Sequence, residues 1–217
     1  MAKSVGQRVL DSFQGAGAEI QAKEYSQNVY AAWKDISASL SRSALLIFLL
    51  MAVFELLVNQ HTSTAISIGS FMLVNAPIVQ IALPTIVAFV IYDSFRLSVR
   101  WLRLGRAYIE LTKIYAPVQR DNGLDFLIEP NLPSLWGIGA IGFGGTERTA
   151  DRFMSTVNAV VRYAMMLAVP VAFESQAYYR LIQKFGYDNI FLWVNAGITI
   201  LLGVCTVVYV WLESYGK

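Results

Sequence analysis

The chain has 217 residues, of which 56% are hydrophobic and 15% charged, with a formal net charge of +2. Soluble domains carry roughly 25% charged residues, so this composition excludes an ordinary water-soluble fold. The small positive balance comes without any basic motif interleaved with aromatics, which gives no sign of a nucleic-acid partner. The single cysteine, Cys205, excludes an intrachain disulfide, and its place in an apolar run predicts a buried, inert thiol.

Residues 1–41 form a polar to amphipathic N-terminal segment. Gly15-Ala16-Gly17 is predicted to divide a short first helix from a second. In the second, Tyr25, Val29, Ile36 and Leu40 recur at helical spacing with Trp33 beside the stripe. Such a helix either packs on its own protein or lies on the membrane surface. No cleavable secretory signal is expected, since the first apolar run begins at Ala44, beyond the usual position of a signal core.

Residues 44–58 are the first spanning candidate, interrupted by Glu55. That is short of the ~20 residues a span needs, so the helix is expected to begin near Ile36 or to run past Asn59. The sequence Asn59-Gln-His-Thr-Ser-Thr64 reads as a polar turn. A second span is predicted from about Ile66 to Tyr92, with Pro77 and Pro84 inside it. Proline removes a backbone donor, which membrane helices tolerate where neighbours satisfy the freed carbonyl.

From Ser94 to Ala116 the pattern changes. Leu97, Trp101, Leu104, Tyr108, Leu111 and Tyr115 make one helical stripe, and Arg96, Arg100, Arg103 and Arg106 crowd the other side. This helix is expected to carry the second span out of the membrane, with its arginines among lipid headgroups, and to end at Pro117. Residues 117–150 are loop-like and rich in Gly and Pro, and a further pre-membrane helix is expected near Thr149. A third span is predicted from about Met154 to Phe173, with Arg162 and Pro170 inside it and Glu174 at its end. A short polar connection holding Arg180, Lys184 and Asp188 then leads to a fourth span, from Ile190 to Leu212.

Lysine and arginine are unevenly distributed over this plan. There are five in residues 1–42, none in the first connection, eight between residues 94 and 153, and two in the last connection. The positive-inside rule then places both termini and the middle region on the cytoplasmic, or matrix-equivalent, side of a membrane that the sequence does not identify.

The two halves resemble each other at a spacing of 120 residues. Phe71-Met-Leu-Val-Asn-Ala76 returns as Phe191-Leu-Trp-Val-Asn-Ala196, and residues 71–95 share eight identities with 191–215. Arg42 matches Arg162 at the same offset, and Phe54-Glu55 matches Phe173-Glu174 after a one-residue gap. The fold class this predicts is all-α: a polytopic membrane protein with four transmembrane helices in two tandem, parallel-repeat hairpins. Its parts are the 1–41 segment, hairpin 1 (42–95), a cytoplasmic basic helix with a Gly/Pro-rich loop (96–152) and hairpin 2 (153–217).

Charged and amide side chains within spans are costly and usually face protein or water. Glu55 and Glu174 are therefore candidates for an outer mouth, or for pairing with His61, Arg180 or Lys184. Asn75 and Asn195 are candidates for hydrogen bonds between helices or for a polar pathway. Arg42, Arg96, Arg100, Arg103, Arg106 and Arg162 are the candidate headgroup contacts. The Arg100-x-x-Arg103-x-x-Arg106 spacing is like that of a voltage-sensing helix, but this run lacks the apolar length to cross. The glycine-rich stretch 134–145 lacks the residues that flank a potassium-channel filter, and no Lys-Ser/Thr follows it as in a phosphate loop.

His61 is the only histidine, and no nucleophile comes with a base at a recognisable spacing. No catalytic residue, cofactor or metal site is predicted. The expected function is a non-enzymatic structural subunit of a homo-oligomer or larger membrane complex, in contact with the lipid bilayer. A channel or transporter with its path near Glu55/Glu174 and Asn75/Asn195 is the alternative, followed by a membrane-shaping hairpin protein.

Overall fold

The computed structural model describes residues 5–15, 17–59, 66–68, 71–73, 77–116 and 168–215. Along them run α1 (Val5–Ser12), α2 (Ala18–Asn59), strands β1 (Ile66–Ile68) and β2 (Phe71–Leu73), and α3 (Pro77–Tyr115). Then come α4, helical over residues 168–185, and α5 (Ile190–Tyr215). The described residues are thus mainly helical, with one short antiparallel ribbon in which Ile66 pairs with Leu73 and Ile68 with Phe71. Within the described residues, α2, α3 and the Ile190–Tyr209 part of α5 are long and apolar enough to cross a membrane.

The chain divides into two compact units. The first draws its described residues from Met1–Arg42, Arg96–Met165 and Val210–Lys217. Gly15 and Gly17 adopt φ of 94° and 88°, a left-handed backbone that glycine enters at little cost. The Ala18 amide donates to the Gly15 carbonyl as α2 begins. Trp33, Ile36 and Leu40 of α2 bury against Trp101 of α3, with Tyr30, Leu97, Leu104 and Tyr108 around them. A second cluster joins Ala22, Val29 and Leu111 to Val9 and Phe13. The two amphipathic stripes of the sequence therefore cover each other, and the α2 helix packs on its own protein.

The ring centroids of Trp33 and Trp101 lie 5.2 Å apart. Gly105 permits this approach, since a Cβ there would sit 2.9 Å from Trp33 Cζ2. Both indole N–H groups are buried without a hydrogen-bond partner. The two indoles are held by ring contact and burial.

The second unit comprises Ser43–Phe95 and Met166–Tyr209. Its core holds Phe54 and Leu57 of α2, Ile81 and Val87 of α3, Phe173, Ala177 and Leu181 of α4, and Leu192 of α5. The α4–α5 turn is closely specified. Gly186 has φ 79°, and its amide donates to the Ile182 carbonyl at 2.9 Å, closing α4 in the usual left-handed glycine manner. Asn189 caps α5, its Oδ1 accepting from the Leu192 amide at 3.3 Å, and the Trp193 indole donates to the Tyr187 carbonyl at 2.7 Å.

Four expectations are corrected. The second span does not run from Ile66, because residues 66–68 and 71–73 form the ribbon and α3 starts at Pro77. Proline is suited to the first position of a helix, where no backbone donor is needed. The same difference separates the two repeat copies, since Phe71–Leu73 is strand and Phe191–Trp193 is helix. Gly197, which aligns with Pro77, retains its amide and lets α5 run through.

The connection before α5 is shorter than expected. The helix continues past Glu174 to residue 185 because Phe173, Ala177 and Leu181 keep one buried stripe at four-residue spacing. Finally, Cys205 is exposed on α5, away from that helix's buried strip.

Candidate functional site

The polar side chains of the second unit gather on the inner faces of its helices. Phe54 of α2 and Phe173 of α4 meet edge to face, centroids 5.5 Å apart at 78°. The two Phe-Glu dipeptides thus touch through their rings, and their carboxylates have different fates. Glu55 Oε2 accepts from Arg180 Nη1 at 2.6 Å and from Asn59 Nδ2 at 3.3 Å. Both members of the ion pair are partly exposed, Arg180 at 30% and Glu55 at 40%. Arg180 is one of the three cations the sequence offered.

Glu174 has no such partner. Both of its carboxylate oxygens are buried, and neither has a hydrogen bond. An isolated buried carboxylate is strongly unfavourable, and among the described residues no donor reaches this one. Tyr178 follows one turn later on the same face of α4 and lies within electrostatic reach of Glu174.

Tyr178 opens a hydrogen-bonded cluster that joins three helices. Its hydroxyl lies 2.8 Å from Thr199 Oγ1 of α5 and 3.2 Å from Thr85 Oγ1 of α3. Thr199 Oγ1 donates to Thr85 Oγ1 at 3.3 Å, and Thr85 Oγ1 donates to Asn195 Oδ1 at 3.0 Å. Asn195 Nδ2 then donates to the Phe191 carbonyl at 2.9 Å. One assignment of protons satisfies the whole series: Tyr178 to Thr199, Thr199 to Thr85, Thr85 to Asn195 and Asn195 to the Phe191 carbonyl. Each hydroxyl donates once and still has a lone pair to accept with.

Local sequence explains these positions. Asn195 and Thr199 are four residues apart on the narrow inner strip of α5, which also includes Leu192, Leu202 and Thr206. Thr85 follows Pro84, which is buried inside α3 and cannot donate to the Gln80 carbonyl. Most of the other side chains of Ile190–Tyr209 are exposed and apolar, with Ile190 at 78% and Ile200 at 68%.

Of the sequence-predicted site residues, Glu55, Glu174 and Asn195 fall in this unit. Asn75 and Arg162 lie outside the described residues. Arg42, Arg96, Arg100, Arg103 and Arg106 are all exposed. Thr85, Tyr178 and Thr199 were not anticipated. The four-residue spacings Glu174–Tyr178 and Asn195–Thr199 were the available signal, whereas Thr85 gives none without its neighbours in space. Within the described residues, no group of three or more His, Cys, Asp and Glu side chains is placed to hold a metal ion.

Comparisons with protein-family models, with curated proteins and with solved structures returned no match for this chain. The helices long and apolar enough to span a bilayer mark it as a helical membrane protein.

Proposed function

We propose that this is a non-enzymatic integral membrane protein that works as a structural subunit, in a homo-oligomer or a larger membrane complex. The observation that carries this reading is the state of α5. Only 17% of its spanning window is buried, against 39% for α3. The chain buries it along one strip, tied down by Asn195 and Thr199, and the exposed apolar side chains of Ile190–Tyr209 present a surface to other membrane helices and lipid. In the finer arrangement that goes with this reading, the segment 154–173 supplies a fourth crossing. Residues 42–95 and 153–217 are then tandem hairpins of the same orientation, with both termini and the basic middle region on the cytoplasmic side. The exposed arginines of α3 rest among headgroups. Native mass measurement after gentle extraction tests the assembly: a fixed stoichiometry or defined partners are expected, and a stable, partnerless monomer in nanodiscs refutes it.

One observation favours a second reading, that of a channel or transporter. The carboxylate oxygens of Glu174 are buried with no hydrogen-bond partner among the described residues, and intramembrane carboxyls of that kind often line ion or proton paths. Under this reading Glu55 is a strut, held by Arg180, and the path lies nearer Glu174 and Asn195. Passage of an ion or solute in proteoliposomes would support it, and an unchanged rate in Glu174→Gln would remove that residue from the path.

A further inference from the structure

Among the described residues of the second unit, Gln80 Oε1 and both carboxylate oxygens of Glu174 are buried without a hydrogen bond, and of the two side chains only Glu174 is an acid. Glu55 has Arg180 and Asn59, Asn195 has Thr85 and its own helix, and the three hydroxyls serve one another. Glu174 precedes the α4 members of both settled groups, Tyr178 and Arg180, and sits next to Phe173, one turn before Tyr178. Both of its oxygens are out of contact with water and have no donor. A side chain placed merely for packing would lose nothing as leucine or methionine, and an acid there is costly unless something positive joins it.

We propose that Glu174 is a binding site for a single positive charge, either a proton or a small monovalent cation such as sodium. Both oxygens are free to take the ligand. Among the described residues the titratable group that interacts with it is Tyr178 on α4, while Glu55 on α2 is paired with Arg180. The groups that α3 and α5 bring to Tyr178 are neutral: Thr85, Asn195 and Thr199. Among the described residues, no cation pairs with the Glu174 carboxylate. The tyrosine hydroxyl is committed to the threonines and fixes the face of α4 on which the acid sits. This proposal is independent of the assembly reading and holds whether or not the protein forms oligomers.

The test uses the purified full chain in nanodiscs. Its melting temperature is followed as sodium chloride replaces N-methylglucamine chloride at constant ionic strength, and separately as pH is lowered without sodium. A ligand that binds only the folded state raises the melting point, by about 5–10 °C at a hundredfold excess over Kd. Wild type is expected to respond in at least one arm. Glu174→Gln, neutral and of the same shape, should respond in neither, while Glu55→Gln keeps the response. A response to sodium assigns a metal cation, and a response to pH alone assigns a proton. An equal response in Glu174→Gln, or none in wild type, overturns the proposal.

A second measurement on wild type guards against a variant that fails to fold. Dicyclohexylcarbodiimide adds to a buried, protonated carboxyl and rearranges to a stable N-acylurea. Labelling should map to Glu174 and be suppressed by sodium at a cation site, or only by raised pH at a proton site. Labelling that neither change affects contradicts the site.

Discussion

Arg180 Nη1 lies 2.6 Å from Glu55 Oε2, linking α4 to α2 across 125 residues of sequence. The pair turns one of the two repeated glutamates into a strut. By contrast with Glu174 it shows what a satisfied carboxylate in this unit looks like. With both side chains partly exposed, the coupling is expected to be small, about 0.5–1 kcal/mol. A double-mutant cycle of Glu55→Gln and Arg180→Gln, read by unfolding in detergent, measures it. Strict additivity of the two single variants would show that the bond does not contribute to stability.

Thr85 is the hub of the cross-helix cluster, and Thr85→Val keeps its shape while removing the hydroxyl. Asn195 Oδ1 then loses its donor, and the Thr199 hydroxyl loses its acceptor. The expected cost is ~1–3 kcal/mol, the range for leaving a buried polar group unpaired. Thr85→Ser should restore most of it. A Thr85→Val melting point equal to wild type would mean that water or lipid headgroups serve those atoms.

Gly105→Ala separates propensity from packing. Alanine stabilises an ordinary helix interior by roughly 1 kcal/mol over glycine. Here its Cβ would sit 2.9 Å from Trp33 Cζ2, and forcing an added methyl group into a packed contact costs about 1–3 kcal/mol. A net loss of stability is expected, with a change in the near-ultraviolet circular dichroism of the Trp33–Trp101 pair. A stabilised variant with an unchanged spectrum would contradict the close approach.

Much of the helical plan was legible because it rests on local signals. The glycines at 15 and 17 mark the break before α2 by their backbone freedom. The stripes of Trp33, Ile36 and Leu40 and of Leu97, Trp101 and Leu111 have helical period, though which stripe meets which is a tertiary fact. The boundaries that failed were those where polarity was read as the end of a helix. Arg180 and Lys184 look like connection residues, yet Ala177 and Leu181 carry the buried stripe beneath them. Phe71-Met-Leu was read as span because its composition is apolar, and three such residues cannot distinguish strand from helix. The site was half legible. Glu55, Glu174 and Asn195 stand out as polar residues in apolar runs, whereas threonines and a tyrosine are ordinary in such runs and gain meaning only from each other.

The central proposal is that the segment 154–173 supplies a fourth crossing, which puts Asp188 on the side of the membrane opposite Gln7 and Arg106. Single cysteines at Gln7, Arg106 and Asp188, in a Cys205→Ser background, test it with a membrane-impermeant maleimide on right-side-out vesicles. Cysteine at Asp188 is predicted to react from outside, while those at Gln7 and Arg106 react only after permeabilisation. If the cysteine at Asp188 is protected together with that at Arg106, the chain crosses three times and the tandem-hairpin arrangement is wrong.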